Sequence, residues 1–384
     1  MKSLYLKNAD VVLPEETARG VNVLVEGETI ADISAREQPA DEVLDLEGLT
    51  LFPGFIDAHI HGAVGVDVNA ADAEGLYEMA RFLSERGTTA FLPTFVPDAD
   101  AVYRKVTAEI EKLIERQSSE PVARAVGVHY EGVFASEKMC GALRPEFFKS
   151  FTGGELDALP RLKNGAHMTT FAPEIEGGVK LARELKKQGW IASIGHTKAD
   201  FQTLEKASEA GARHLTHFFN AMTGLHHRDI GVVGWALMRP DVTFDIIADG
   251  VHVAPEVLKF AVKAKSAERV SLISDAVLPT GLGDGDFEIW GERVSVVEGR
   301  TRNERGSIAG SVITMLDAVN KMLSLGFTAP EAAKMASANP ARLLGLEKTL
   351  GSIEKGKRAD LVALDAEGNA RLTIIGGRIA YKNL

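Results

Sequence analysis

The sequence predicts an α/β protein: a (β/α)8 TIM barrel carrying a small β-sandwich built from both chain ends. Three observations predict it. Eight apolar, β-rich runs recur between about Phe55 and Arg342, helix-period stretches separate them, and short alternating strand patterns occupy both termini. Strands that are apolar on nearly every residue are buried on both faces, which requires helices to cover a parallel sheet. Eight such repeats over roughly 290 residues match a barrel with insertions. An open doubly wound sheet is the rival, but no G-x-G-x-x-G follows the first run of the middle region.

Taken in order, VNVLVEG alternates its apolar residues, ETIADIS follows across a glycine turn, and EVLDLEGLTLFPG leads into the middle region. The strand candidates there are GFIDAHIH, TTAFLPTF, RAVGVHYEG, HMTTFAPE, WIASIGH, RHLTHFF, VTFDIIADG and RVSLISDA. Between them, AEGLYEMARFLSERG, GGVKLARELKKQG and ADFQTLEKASEAG read as amphipathic helices, each closing on Gly. Residues 315–346 read as two late helices, the second closing before a proline. The C-terminal end returns to strand patterns, LGSIEKGKRADLVALD, a Gly-Asn turn and RLTIIGGRIAYKN. The expected division is therefore 1–53 with 346–384 for the sandwich and 54–345 for the barrel, since chain ends are often close together.

Composition narrows the function classes. The 384 residues suit two or three domains or one large one. Acidic residues outnumber basic ones, 54 to 43, and a net charge of −11 repels a phosphate backbone, so a general nucleic-acid role is excluded. Hydrophobic residues at 45% and charged residues at 25% are an ordinary globular balance. The single cysteine, Cys140, excludes an internal disulfide, fits a reducing cytoplasm and reads as a small buried hydrophobe. The start, MKSLYLKNAD, is too charged for a signal peptide, and no apolar run approaches the ~18 residues of a membrane span. The expectation is a soluble cytoplasmic protein.

Polar residues fall at the ends of five of the eight runs: Asp57, His59 and His61; His129 and Glu131; His196; His217; Asp275. In a parallel barrel the C-terminal strand ends open onto one face, where active sites sit. His59 and His61 are two apart, so on a strand both point the same way, as two nitrogen donors to one divalent ion would. His196 or His217 alone would more often be an ordinary core or surface histidine. With Glu131 they make a mixed donor set suited to Zn²⁺ or Fe²⁺. His214 and His167 read as structural. Asp275 has two readings, a cap for the next helix or a carboxylate that takes a proton from water and returns it to a leaving group; the donors at the other strand ends favour the second.

These residues resemble a known family. P-G-F-I-D-A-H-I-H (53–61), H-Y-E-G (129–132), I-G-H-T (194–197), T-H-F-F-N-A-M (216–222), A-D-G-V-H-V (248–253) and I-S-D-A (273–276) are similar to motifs of the amidohydrolase superfamily, and specifically of its N-acetylglucosamine-6-phosphate deacetylases. The resemblance implies a cytoplasmic deacetylase, a homodimer without nucleic-acid or membrane partners, acting on an amino-sugar phosphate. It implies that Glu131, His196 and His217 hold the main metal, with His59 and His61 providing for a second ion, zinc or iron, one or two per chain. Asp275 would be the general base and then the acid. His252 would touch the sugar, with Ala142 nearby, while Asn220 and the backbone at Ala221 face the phosphate. Arg228 would reach the phosphate across a dimer interface. The fourth strand carries no Lys to bridge two metals, which leaves Glu131 as the bridging candidate.

Three departures bear on the substrate. The family's E-G-P-F is E-G-V-F here (131–134), its K-G-A-H is C-G-A-L (140–143), and its R-E-P-G is R-D-I-G (228–231). None touches a proposed metal ligand or Asp275. The alternatives carried forward are another N-acetyl amino-sugar phosphate such as N-acetylgalactosamine 6-phosphate, a cyclic amide, or a sugar-phosphate sensor without catalysis.

Overall fold

The computed structural model describes residues 2–384. Eight parallel strands form the barrel: β1 (Phe55–Ile60), β2 (Thr88–Phe95), β3 (Gly127–Phe134), β4 (Ala166–Phe171), β5 (Ile191–Ile194), β6 (His214–Leu215), β7 (Thr243–Ile247) and β8 (Val270–Ile273). Each expected run is a strand, and each pairs in parallel with its sequence neighbour. β1, β2, β3 and β8 are buried at every position, as strands covered on both faces must be.

The seam between β8 and β1 is closed by individual bonds. The Asp57 carboxylate accepts from Ser274 Oγ (2.5 Å) and Ser274 N (3.2 Å), both across the seam. Asp275 N donates to His59 O (3.0 Å) and His61 N to Ala276 O (2.8 Å). Gly54 leads into β1 because a Cβ there would lie 2.3 Å from Thr89 Oγ1.

The helices Ala73–Glu85, Gly178–Lys187 and Phe201–Ala210 form where the periodicity places them, with Gly87, Gly189 and Gly211 at positive φ just beyond their ends. Apolar side chains of the helices, such as Leu76, Leu181 and Leu204, join strand residues Phe91, Phe134 and Phe171 in the main core. Two expectations need amendment. The second late helix does not close before its proline: helix runs from 329 through a π segment (Lys334–Ala338) into Asn339–Leu343, with Pro340 in that last first turn. A proline is tolerated there because the preceding π turn already departs from the i−4 bonding that its missing N–H would interrupt. A second element was not expected at all: after β8 the chain forms a three-stranded antiparallel sheet (Gly285–Ile289, Glu292–Val297, Arg300–Asn303).

Both chain ends form separate sheets. A four-stranded one contains Ser3–Lys7, Asn22–Glu26, Thr29–Ser34 and Glu42–Asp45. In the other, Thr50–Pro53 pairs antiparallel with Leu361–Leu364, joining N- and C-terminal segments. Leu6, Val23 and Val25 of the first and Val11, Leu51, Leu361 and Leu372 of the second share one core. Among the described residues no helix is long and apolar enough to cross a membrane.

Candidate active site

The strand ends deliver their polar residues to one place. His59 and His61 come from the end of β1, Glu131 from β3, and His196, His217 and Asp275 from the residues just past β5, β6 and β8. His196, His217 and Asp275 have φ of +47°, +31° and +50°, a left-handed backbone that non-glycine residues adopt at a cost of about 1–3 kcal/mol each. Three strained turns just past β5, β6 and β8 aim side chains inward that a continuing strand would not.

The geometry is that of two donor sets sharing a carboxylate. Glu131 Oε1 lies 2.9 Å from His196 Nε2 and 2.8 Å from His217 Nε2, while Oε2 lies 3.3 Å from His61 Nε2. Asp275 Oδ1 is 3.4 Å from His59 Nε2 and 3.3 Å from His61 Nε2. Within each of the two groups, His59–His61–Asp275 and Glu131–His196–His217, the ligand atoms lie within 4.8 Å of one another, and all six residues are buried. Glu131 touches both, as a bridging ligand would.

The outward nitrogens of two rings are tied back: His61 Nδ1 to Thr94 O (3.0 Å) and His196 Nδ1 to Met139 O (2.9 Å). That leaves Nε2 of each pointing inward as a donor. Like atoms crowd the centre, with His59 Nε2 3.0 Å from His61 Nε2 and His217 Nε2 3.0 Å from His196 Nε2. A divalent ion would satisfy them together, so the donor set fits a metal. The charges agree. Burial favours a neutral imidazole, yet the Asp275 and Glu131 carboxylates push His61 up to about 10. Burial likewise opposes a charged His217, but Glu131 raises it to about 9. Glu131 itself is held well below the carboxylate range, against burial, by His59, His196 and His217. Positive charge is what this cluster draws in.

Two candidate strand-end residues are not in the donor sets. Asp57 spans the barrel seam, and burial raises its pKa to about 6. His129 bonds Thr170 Oγ1 (2.7 Å) and sets its ring edge-on to His59, with centroids 4.6 Å apart. Each lies two residues before a donor-set residue on its strand, one layer deeper in the barrel. His167 accepts from Leu162 N and His214 bonds Thr243 and Asp245, so both are structural. No helix follows Asp275 for it to cap; the next elements are the three-stranded sheet.

A cavity of about 280 Å³ opens over the cluster, lined by Ala142, Asn220, Ala221 and His252 beside the donor residues. His252 Nδ1 is 2.6 Å from Asp249 Oδ2, which leaves its Nε2 free. Asn220 Nδ2 is buried without a partner. Leu143, in place of the family's histidine, is buried in the cavity wall. Arg228 is exposed, its Nη1 2.7 Å from His227 Nε2, and is absent from the cavity of its own chain. Trp290, Ser307 and Ile308 also line the cavity, and the sequence reading missed all three. For Trp290 the signal lay in DFEIWGERVSVVEGRTRN, whose period-2 alternation broken at Trp-Gly and Glu-Gly marks a meander; Ser307 and Ile308 lie beyond it.

Known proteins match both the sequence and this structure. The amidohydrolase family matches residues 50–380. N-acetylgalactosamine-6-phosphate deacetylase of Escherichia coli O157:H7 is 36% identical over 356 residues, covering 91% of this chain and 93% of its own. N-acetylglucosamine-6-phosphate deacetylase of Bacillus subtilis (strain 168) is 34% identical over 391 residues, covering 99% and 98%. A solved mutant of the N-acetyl-D-glucosamine-6-phosphate deacetylase from Mycobacterium smegmatis, in complex with N-acetyl-D-glucosamine-6-phosphate, superposes with a TM-score of 0.89 at 29% identity, covering 100% of both chains. With a family match along most of its length and relatives of this identity across at least nine-tenths of it, the chain belongs to the amidohydrolase family.

Proposed function

We propose that this chain is a metal-dependent hydrolase that removes the acetyl group from N-acetylglucosamine 6-phosphate, giving glucosamine 6-phosphate and acetate. The observation that carries it is the convergence of Glu131, His196, His217, His59, His61 and Asp275 beneath one cavity. Glu131, His196 and His217 would hold one ion, His59 and His61 a second, with zinc or iron suited to nitrogen and carboxylate donors. Such an ion lowers the pKa of water and polarises a carbonyl.

The chain's own residues do the rest. Asp275 takes the proton from the attacking water and returns it to the amine nitrogen, because an amide anion is too basic to leave unprotonated. His252, held by Asp249, presents Nε2 to the acetyl or sugar oxygens. Asn220 Nδ2 and the backbone at Ala221 meet the phosphate, with Ala142 at the sugar. Arg228, exposed and away from its own cavity, supplies a fork-shaped phosphate donor to a neighbouring subunit, making the enzyme a homodimer. The same reading divides the chain into a sandwich unit (1–53 and 346–384) and a barrel unit (54–345), in a cytoplasmic protein.

N-acetylgalactosamine 6-phosphate is the second reading, favoured by Leu143, which removes a polar partner from the sugar wall. An acetate-release assay on the glucosamine, galactosamine and mannosamine 6-phosphate N-acetyl derivatives separates them. Turnover of the glucosamine compound above the others supports the proposal, and its loss on exhaustive chelation supports the metal. Cleavage of a cyclic amide with no turnover of any acetylated sugar phosphate would remove the proposal.

A further inference from the structure

One buried carboxylate in the barrel has no part in the chemistry above. Asp245, in the middle of β7, is fully buried and belongs to neither donor set. Its Oδ1 accepts from the backbone N–H of His217, and its Oδ2 lies 3.1 Å from His214 Nε2. The backbone carbonyl of the same residue accepts from Phe218 N at 2.8 Å. His214 is in turn fixed at Nδ1 by Thr243 Oγ1, 2.8 Å away.

A carboxylate is costly to bury, and a barrel interior is ordinarily filled by branched apolar side chains. What Asp245 holds is the turn that puts His217 in place. β6 is two residues long, and His217 sits just beyond it at φ +31°, where the strand ladder can no longer fix it. The His217 ring has no tether of its own, since its Nδ1 is buried without a partner, whereas His61 and His196 are each held through Nδ1 by a carbonyl. A ligand ring not fixed from behind must be fixed through its backbone.

We propose that Asp245, braced by His214, is a positioning residue that sets the His217 ligand by clamping its strained backbone. This rests on Glu131, His196 and His217 binding a metal. The clamp replaces the Nδ1 tether that His61 and His196 have; His59, whose Nδ1 is also unpartnered, likewise has its backbone N–H held by a buried carboxylate, Asp57. Removing it lets the turn relax toward ordinary φ and carries Nε2 away from Glu131.

The test is a titration of metal-free full-length protein with Co²⁺, following affinity by chelator competition and ligand geometry by the visible d–d band, on D245A, D245N and H214A. D245A should bind the first Co²⁺ roughly 10–100-fold more weakly, the range seen when an outer partner of a ligand is lost, with a changed d–d band. D245N keeps an oxygen for the His217 N–H and should recover affinity to within a fewfold. H214A, which opens onto a cavity of about 570 Å³ at the far end of the barrel and is the milder change, should fall between them. Should D245A not fold, H214A decides. Parental affinity and band shape in a folded D245A, or in H214A where D245A does not fold, overturn the clamp even if melting temperature drops. Parent protein that takes up no Co²⁺ would instead overturn the metal site itself.

Discussion

Replacing Asp57 with alanine should loosen the barrel seam, while asparagine, which keeps an acceptor for the His59 N–H, should leave the metal content unchanged. The carboxylate is completely buried and accepts from Ser274 Oγ, Ser274 N and His59 N. Alanine strands the two backbone donors, at roughly 1–3 kcal/mol each, while the Ser274 hydroxyl can turn to another acceptor. Against that loss of roughly 2–6 kcal/mol stands the relief of no longer burying a charge. Burial raises Asp57 to about 6, so the ionised group is itself a burden at neutral pH. A net loss of roughly 1–3 kcal/mol lowers Tm by about 1–4 °C in a chain of this size. Asparagine keeps an acceptor without the charge, so D57N should match or exceed the parent. The sign with pH follows from the raised value. The folded parent binds more protons than the unfolded chain between about 4 and 6, so this group's contribution falls as pH rises through that window. D57N lacks that loss, and its advantage should grow from pH 4 to 6 and then level. Calorimetric melts and elemental analysis on the same samples check both parts. D57A melting with the parent would refute the brace, and D57N losing an ion would make Asp57 a ligand.

Other outcomes follow from the donor sets. D275N should keep its metal while kcat falls by about 10²–10⁴-fold, the usual worth of a general base, and near-parental rates would remove Asp275 from that role. H59A combined with H61A should cut the divalent ions per chain from two to one by elemental analysis, and an unchanged ratio would deny the second site. R228A should raise KM for the phosphorylated substrate with little change in kcat, and mixing R228A with D275N subunits should restore some low-KM active sites if the arginine acts across the interface.

The eight strands were legible because burial on both faces leaves an unbroken apolar run, and the helices because Gly ends them where the chain must turn left-handed. The donor residues were legible for a simpler reason: a polar residue ending such a run is costly unless something at the barrel mouth uses it. Period-2 spacing, however, gives the face of a strand and not its depth. Asp57 shares a face with His59, and His129 with Glu131, but about 6–7 Å further along the strand each meets the barrel wall and not the ligand centre.

The sequence by itself determined the barrel, the paired terminal strands and the eight polar residues at the strand ends, because local periodicity and composition dictate them. Tertiary structure alone decided that Asp57 closes the seam, that Glu131 touches both donor sets and that Asp245 clamps His217. It also decided that the meander after β8 walls the cavity with Trp290 and that Arg228 stays outside it. Those outcomes depend on which strand lies next to which and how deep each residue sits, and a one-dimensional pattern carries neither distance.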